Sequence, residues 1–273
     1  MALKADVKGR VALITGGGGG IGGCTGKLFA ENGMRVILTD IIKENGEKMA
    51  ASIREAGGDA QFYYMDCRNK ESIDECIDAV IRDYGRIDIL MNNAGVNTGP
   101  DERKPVYNYK QEVYEWVLDI NLNFGLVYIT QKVIPYMIKQ GGGSVLNTTS
   151  IAGVAGLRLQ HAFVASKFAM SALTKSMALE YAKYNIRVNA LAPGSTWGPG
   201  GDKKYNPETD GNNPFYERFT LSGLFENIPM NRPAGSEEMA GLMLYLASDD
   251  ASYCTGQVIA VDGGWTAGFS KDY

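Results

Sequence analysis

Short apolar runs alternate with longer amphipathic stretches along most of the chain. Val11-Ala12-Leu13-Ile14 is an unbroken apolar run, too short for a helix, and is predicted to be a buried strand. After the glycines that follow, a short helix runs to a stop at Asn32-Gly33. Arg35 to Thr39 is predicted as a second strand ending in Asp40, and about Lys43 to Ala56 as a polar helix closed by Gly57-Gly58. A third strand, Ala60 to Met65, ends in Asp66. Ile73, Cys76, Ile77, Val80, Ile81 and Tyr84 then recur at three- and four-residue spacing, the stripe of a helix facing a sheet, and Gly85 stops it. A fourth strand, Ile87 to Met91, runs into Asn92-Asn93-Ala94-Gly95.

The alternation continues less regularly. Residues 97–109 read as a loop, and Lys110 to Lys139 as one long helical region. Ser144 to Thr148 is a strand, Ser150 to Ala162 a loop, and Val164 to Lys183 a helix with small residues on several faces, as where helices pack closely. Ile186 to Leu191 is a strand leading to Pro193-Gly194. Residues 195–233 lack clean periodicity, and irregular segments of that length inside a domain are usually functional. A helix at 236–247 and a strand at Val258 to Val261 close the pattern at Asp262-Gly263-Gly264. Strands alternating with helices across short glycine joints predict an α/β fold. It is a Rossmann-like doubly wound parallel sheet of about seven strands with right-handed crossovers, in a single domain over 1–273.

Composition narrows the function more than the fold. The 273 residues are 45% hydrophobic and 21% charged, enough for a substantial core. A net charge of −4 offers nothing to nucleic acid or an anionic membrane. No apolar run has membrane-spanning length and the N-terminus lacks a signal-peptide core, so a cytoplasmic protein is expected. Cys24, Cys67, Cys76 and Cys254 have no metal or disulfide spacing and read as small buried residues. The single histidine, His161, excludes multi-histidine metal sites and argues against a Ser-His-Asp hydrolase. No metal is expected.

The candidate chemistry lies at the strand ends. Gly16 to Gly20 are five consecutive glycines between a strand and a helix, so backbone N–H groups and the positive end of a helix dipole converge on one spot. That arrangement suits a pyrophosphate. The bare G-x-G-x-x-G pattern fits in two registers and decides nothing alone, but Asp40 falls where a carboxylate receives an adenosine ribose. Asp40 also repels a 2′-phosphate, Ile41 rather than an arginine follows it, and the glycine loop carries no basic residue, so NAD is expected over NADP. In a doubly wound sheet the ligand crosses the carboxyl ends of the strands. The site is therefore collected from Gly16, Gly18, Gly19, Gly20, Ile21, Asp40, Asp66, Asn93, Ala94, Gly95, Ser150, Pro193, Gly194 and Thr196.

Thr15-Gly16 with Gly20-Ile21-Gly22, Asn92-Asn93-Ala94-Gly95, Ser150, Phe163-Val164-Ala165-Ser166-Lys167 and Pro193-Gly194 together resemble the short-chain dehydrogenases/reductases, over about residues 8 to 264. The resemblance implies an NAD-dependent oxidoreductase interconverting a secondary alcohol and a ketone, with a catalytic Asn, Ser, Tyr and Lys. Lys167 would bind the nicotinamide ribose and lower the tyrosine pKa, Ser150 would hydrogen-bond the substrate oxygen, and Asn121 would hold a relay water. The chain between Asn121 and Ser150 is one residue longer than the usual pattern, which leaves Asn123 as the alternative. Asp66 with Cys67 would meet the adenine edge, unless Asp66 only caps a helix. Helices at 110–139 and 164–183 resemble those that pair subunits, so a homotetramer is expected.

Position 163 departs from the pattern. The family tyrosine falls here on Phe163, which keeps the ring and lacks the O–H, and losing a positioned acid/base costs ~10²–10⁴ in rate. Two readings stay open. The favoured one is a Tyr→Phe inactivated variant made to trap a substrate; the other is a native non-catalytic NAD-binding sensor or scaffold. His161 could stand in as an acid or contact substrate, as could Arg158 by charge. The segment 195–233 resembles a substrate lid and offers Trp197, Tyr205, Phe215, Tyr216, Phe219, Leu224 and Phe225 beside Lys203, Lys204, Arg218 and Arg232, suited to a sugar, polyol or steroid-like alcohol. Gly198 replaces a threonine that in many relatives touches the cofactor amide.

Overall fold

Val11–Thr15 (β1), Arg35–Asp40 (β2) and Asp59–Tyr64 (β3) form one half of a sheet. Ile89–Asn92 (β4), Gly143–Thr148 (β5) and Ile186–Pro193 (β6) form the other. In this computed structural model, which describes residues 6–197 and 224–268, Thr196–Trp197 (β7) and Ala234–Gly235 (β8) make a separate two-residue ladder, and Val258–Val261 (β9) completes the large sheet. The sheet has seven strands in the order β3-β2-β1-β4-β5-β6-β9, all parallel. Strand order reverses between β1 and β4, where a crevice opens at the carboxyl ends.

Alternation within the strands explains why helices cover both faces. From β1, Ala12 and Ile14 join a core with Phe29 of α1 (Gly20–Glu31), Ile53 of α2 (Lys43–Glu55) and Met243 of the last long helix, Glu237–Ala247. Val11 and Leu13 point the other way, into a core with Ile77 of α3 (Lys70–Tyr84) and Val133 of the helix Ile129–Gln140. Each strand therefore needs a helix on either side, and the doubly wound arrangement expected above is the one observed.

The long helical region is not one helix. Gln111–Leu118 (α4) passes through a ten-residue π-helical stretch, Asp119–Tyr128, before α5, Ile129–Gln140. The wider turn carries the Ile120 carbonyl to where a side chain at Gly125 would stand, so only glycine fits there. The helix Val164 to Lys183 starts earlier, at His161, as α6 (His161–Tyr181), and the preceding loop includes a 3₁₀ turn at Ile151–Gly153. α7 is Glu237–Ala247. β7 and β8 bring together the two ends of the expected lid, with Ser195 O accepting from Ala234 N at 3.0 Å. Gly198, Lys203, Lys204, Tyr205, Phe215, Tyr216, Arg218 and Phe219 lie outside the described residues, as do the side chains of Trp197, Leu224 and Phe225. Arg232 is bound by Glu238 through two contacts of 2.8 Å. Among the described residues no helix is long and apolar enough to cross a membrane.

Candidate active site

The ends of β1 and β4 are laced together by side chains. Thr15 Oγ1 accepts from the backbone N–H groups of Asn93 and Ala94, both at 2.9 Å, and Asn93 Nδ2 donates back to Thr15 O at 2.9 Å and Gly16 O at 3.2 Å. Gly16 is left-handed (φ +64°), and a Cβ there would lie 2.9 Å from Ala94 Cα. Glycine is thus required twice over, by conformation and by the close approach of the second strand end. α1 starts beyond it with no acidic residue in its first turn, which leaves its N-terminal dipole free to meet an anion.

A cavity of about 790 Å³ opens in front of these ends. Gly16, Gly18, Gly19, Gly20, Asp40, Ile41, Asp66, Cys67, Asn93, Ala94 and Gly95 line it. Asp40 holds the loop, its two carboxylate oxygens accepting from Gly18 N at 3.0 Å and Ile42 N at 2.9 Å. Each oxygen keeps a lone pair for a ribose hydroxyl. Asp66 faces the same space. Burial opposes its ionisation, but the backbone N–H and guanidinium of Arg68 outweigh that and hold its carboxyl below the usual range. The N-cap of α3 is Asn69, not Asp66. Burial pushes the Cys67 thiol up to about 12, so it behaves as an apolar wall and not as a nucleophile.

The second group of predicted residues gathers where β5, the π-helical stretch and α6 meet. Lys167 is buried, its Nζ donating to Thr148 O at 2.8 Å, and lies 5.8 Å from the centroid of the Phe163 ring. Burial lowers its pKa to about 8. Phe163 and Lys167 share one helix face because they are four residues apart. Asn121 is fully buried and accepts from Val96 N at 2.7 Å, while its Nδ2 donates to Val96 O at 2.9 Å and Ser166 Oγ at 3.0 Å. Ser166 Oγ in turn donates to Phe163 O at 2.8 Å. Asn123 is exposed and binds Asp119 at 2.8 Å, so it is Asn121 that faces the site. Gly95 lies between the two groups: a Cβ there would be 3.2 Å from Asn121 Oδ1 and 3.4 Å from Lys167 Nζ. Ser150 is buried, and its Oγ accepts from Ala152 N at 3.1 Å, which leaves the hydroxyl proton to give.

The sequence and the fold that carry these residues match known proteins. A family model described as Enoyl-(Acyl carrier protein) reductase matches residues 17–266. The chain belongs to the short-chain dehydrogenase/reductase family. It is 39% identical over 258 residues to the 3-oxoacyl-(acyl-carrier-protein) reductase FabG of Thermotoga maritima, covering 94% of this chain and 98% of that one. It is 35% identical over 259 residues to a 3alpha-hydroxysteroid dehydrogenase of Mediterraneibacter gnavus, covering 94% and 97%. The crystal structure of a levodione reductase superposes with a TM-score of 0.86 at 31% identity, covering 96% and 99%.

Within this short-chain dehydrogenase/reductase frame, Ile21 is partly buried against the core and not in the cavity wall. Pro193, Gly194 and Thr196 follow the end of β6, tied by Gly194 N to Val261 O at 3.0 Å and Thr196 Oγ1 to Gly194 O at 3.2 Å. Arg158 is exposed, and the His161 ring packs edge-on against Tyr109. The sequence argument missed Val96, Ser166 and Tyr109. Only contact across the fold reveals them: Val96 follows a motif, Ser166 sits unremarked inside one, and Tyr109 lies outside them all. Thr15 carried a signal, its place between the strand and the glycines, but not its role as the acceptor that joins β1 to β4.

The lysine generates a pH prediction. Lys167 titrates near 8 in the fold against 10.5 when exposed, so between those values the unfolded chain binds more protons and stability rises with pH. The gap corresponds to on the order of 3 kcal/mol. The stability of the parent relative to Lys167→Met should therefore improve as the pH of dinucleotide-free protein is raised from about 7 to about 10. Urea unfolding of both proteins at each pH checks this, and a pH-independent difference would refute it.

Proposed function

We propose that this chain is an NAD-dependent oxidoreductase for a secondary alcohol/ketone pair, in a form disabled at position 163. The observation that carries the reading is the buried Lys167 ammonium set 5.8 Å from the Phe163 ring, with Asn121 and Ser166 joined by hydrogen bonds beside it. A nicotinamide dinucleotide, when bound, supplies the ring that takes or gives a hydride. Asp40 would receive the adenosine ribose, and the glycine loop with the start of α1 the pyrophosphate. Beyond Thr148 O and a long contact of 4.0 Å to Met170 Sδ, Lys167 would have an N–H for a ribose hydroxyl, and Ser150 its proton for a substrate oxygen. Phe163 fills the shape of a tyrosine but can hold no proton. The substrate class fits a sugar, polyol or steroid-like alcohol; the relatives named above for a 3alpha-hydroxysteroid and for levodione support a ring-bearing one. The second reading, a nucleotide-binding sensor or scaffold, draws on the same missing O–H.

Cofactor choice is the first test. A 2′-phosphate would bring about −2 of charge against the Asp40 carboxylate, so NAD(H) should bind at least tenfold more tightly than NADP(H), a gap of about 1.4 kcal/mol. Calorimetric titration of both decides it, and equal affinities would sink the assignment.

Restoring the hydroxyl is the second. Phe163→Tyr should raise turnover by about two orders of magnitude or more on a suitable alcohol, because the Lys167 charge favours the phenolate, while NAD affinity changes little. Comparing NADH formation by both proteins across sugars, polyols and hydroxysteroids separates the readings. A variant that stays inert across the panel favours the sensor.

Assembly is the third. Phe168 and Leu179, 42% and 85% exposed, lie about three turns apart on one face of α6, an apolar strip suited to a subunit contact. Light scattering at micromolar concentration should give a homotetramer, and a 29.6 kDa monomer would contradict it.

A further inference from the structure

The two hydrogen bonds that Asp40 accepts from the backbone are of different kinds. Oδ1 takes the N–H of Ile42, two residues on, at 2.9 Å, a local turn that an aspartate makes by itself before a helix. Oδ2 takes the N–H of Gly18 at 3.0 Å, across 22 residues of sequence, and joins the end of β2 to the middle of the glycine loop. The preceding loop residue is held to the same strand, Gly17 N donating to Thr39 O at 2.9 Å. The fit is close at both residues. A Cβ at Gly17 would lie 3.2 Å from Leu38 Cα, and one at Gly18 would lie 2.8 Å from Asp40 Oδ2 and 3.1 Å from Asn45 Cβ.

The glycine run therefore divides by function. The N–H groups of Gly17 and Gly18 are used in fastening the loop to β2. α1 begins at Gly20, with Gly19 as its N-cap and no side chain capping it, and the N–H groups of a first helical turn have no intrahelical partner. Those are the donors that can meet a pyrophosphate. Gly18 stands one residue before the N-cap, so the way it is held sets the direction in which the chain enters the helix.

Building on the dinucleotide-binding reading of this site, we propose that Asp40 is a positioning residue for the pyrophosphate, in addition to its reading of the ribose. Through Gly18 N its carboxylate orients the loop, and with it the donors at the start of α1. Charge and position act in opposite directions here. A carboxylate beside a polyanion repels it, so on charge alone the removal of Asp40 would tighten phosphate binding. As a support for the loop, its removal loosens that binding. Ribose reading and phosphate grip are thus linked through one side chain, and a neutral residue at 40 does not by itself turn the site toward a 2′-phosphate.

The test compares ADP with 2′,3′-dideoxy-ADP, which differs only in lacking the two ribose hydroxyls. Each is titrated calorimetrically into the parent, Asp40→Ala and Asp40→Asn. Loss of ribose reading affects ADP alone, whereas loss of positioning also affects the dideoxy nucleotide. Asp40→Ala should weaken dideoxy-ADP binding at least fivefold. Asp40→Asn keeps an acceptor oxygen for Gly18 N without the charge, and should bind dideoxy-ADP at least threefold more tightly than Asp40→Ala. If Asp40→Ala does not fold, Asp40→Ser is read in its place, since its hydroxyl can keep the Ile42 turn but is too short to reach Gly18. Dideoxy-ADP binding that is unchanged or tighter in Asp40→Ala, or no tighter in Asp40→Asn than in Asp40→Ala, overturns the proposal while leaving the dinucleotide reading intact. A parent that binds neither ADP nor NAD overturns both.

Discussion

The site depends on how two neighbouring parallel strands are kept together at the place where their chains part. From β1 the chain turns into α1 on one face; from β4 it runs out toward α4 and the opposite face. No backbone ladder can join the residues after the last paired rungs. Thr15 and Asn93 do that with side chains, giving and receiving four hydrogen bonds between the strand ends. The joint fixes Gly16 against Ala94, and it therefore fixes where the glycine loop stands relative to Gly95, Asn121 and Lys167. A nucleotide that spans the reversal needs both sides held at one distance. A clamp buried at Thr15 and half-buried at Asn93 does so because leaving its groups unpaired would cost more than the clamp constrains.

A second polar network runs through the sheet toward α6. Asn92 Nδ2 donates to Thr130 and to Asn147 Oδ1, Asn147 Nδ2 donates to Thr174, and Thr149 Oγ1 donates to Lys167 O. These groups are buried, so the register of α6 on β5 is set by hydrogen-bond pairing as well as by packing. Gly153 lets the turn after Ser150 come into contact with the α6 backbone and Ser171, which draws Ser150 and Lys167 onto one end of the sheet. The π-helical stretch has the same function on the other side: it turns Asn121 toward Val96 and Ser166, leaving Asn123 to solvent.

Phe163 changes the electrostatics of this assembly more than its shape. The Lys167 ammonium meets a backbone carbonyl and the face of an aromatic ring, with burial as the dominant influence on its proton. A ring face attracts a cation weakly, whereas a phenolate would hold it by full charge. The same cation that would activate a phenol is therefore, without one, a buried charge with little to offset its desolvation.

Periodicity and glycine placement by themselves determined the seven parallel strands, the helices on both faces and the crevice-lining set from Gly16 to Gly95, because each is a local consequence of chain direction and strand-end position. Phe163 and Lys167 were legible through the family resemblance, and their four-residue spacing sets them on one helix face. The resemblance named Asn121 with Asn123 as the alternative, but not the reason Asn121 alone turns inward: that rests on a π-helical turn made possible by Gly125, and i→i+5 geometry leaves no periodic mark in a sequence already rich in apolar residues. Nor could the sequence pair Tyr109 with His161, which lie on separate segments and whose rings meet edge-on only in the folded chain. Patterns repeated along the chain encode secondary structure and its layering. Which polar atoms end up buried, and beside what, is decided by contacts between residues far apart in sequence, and only the tertiary structure sets those.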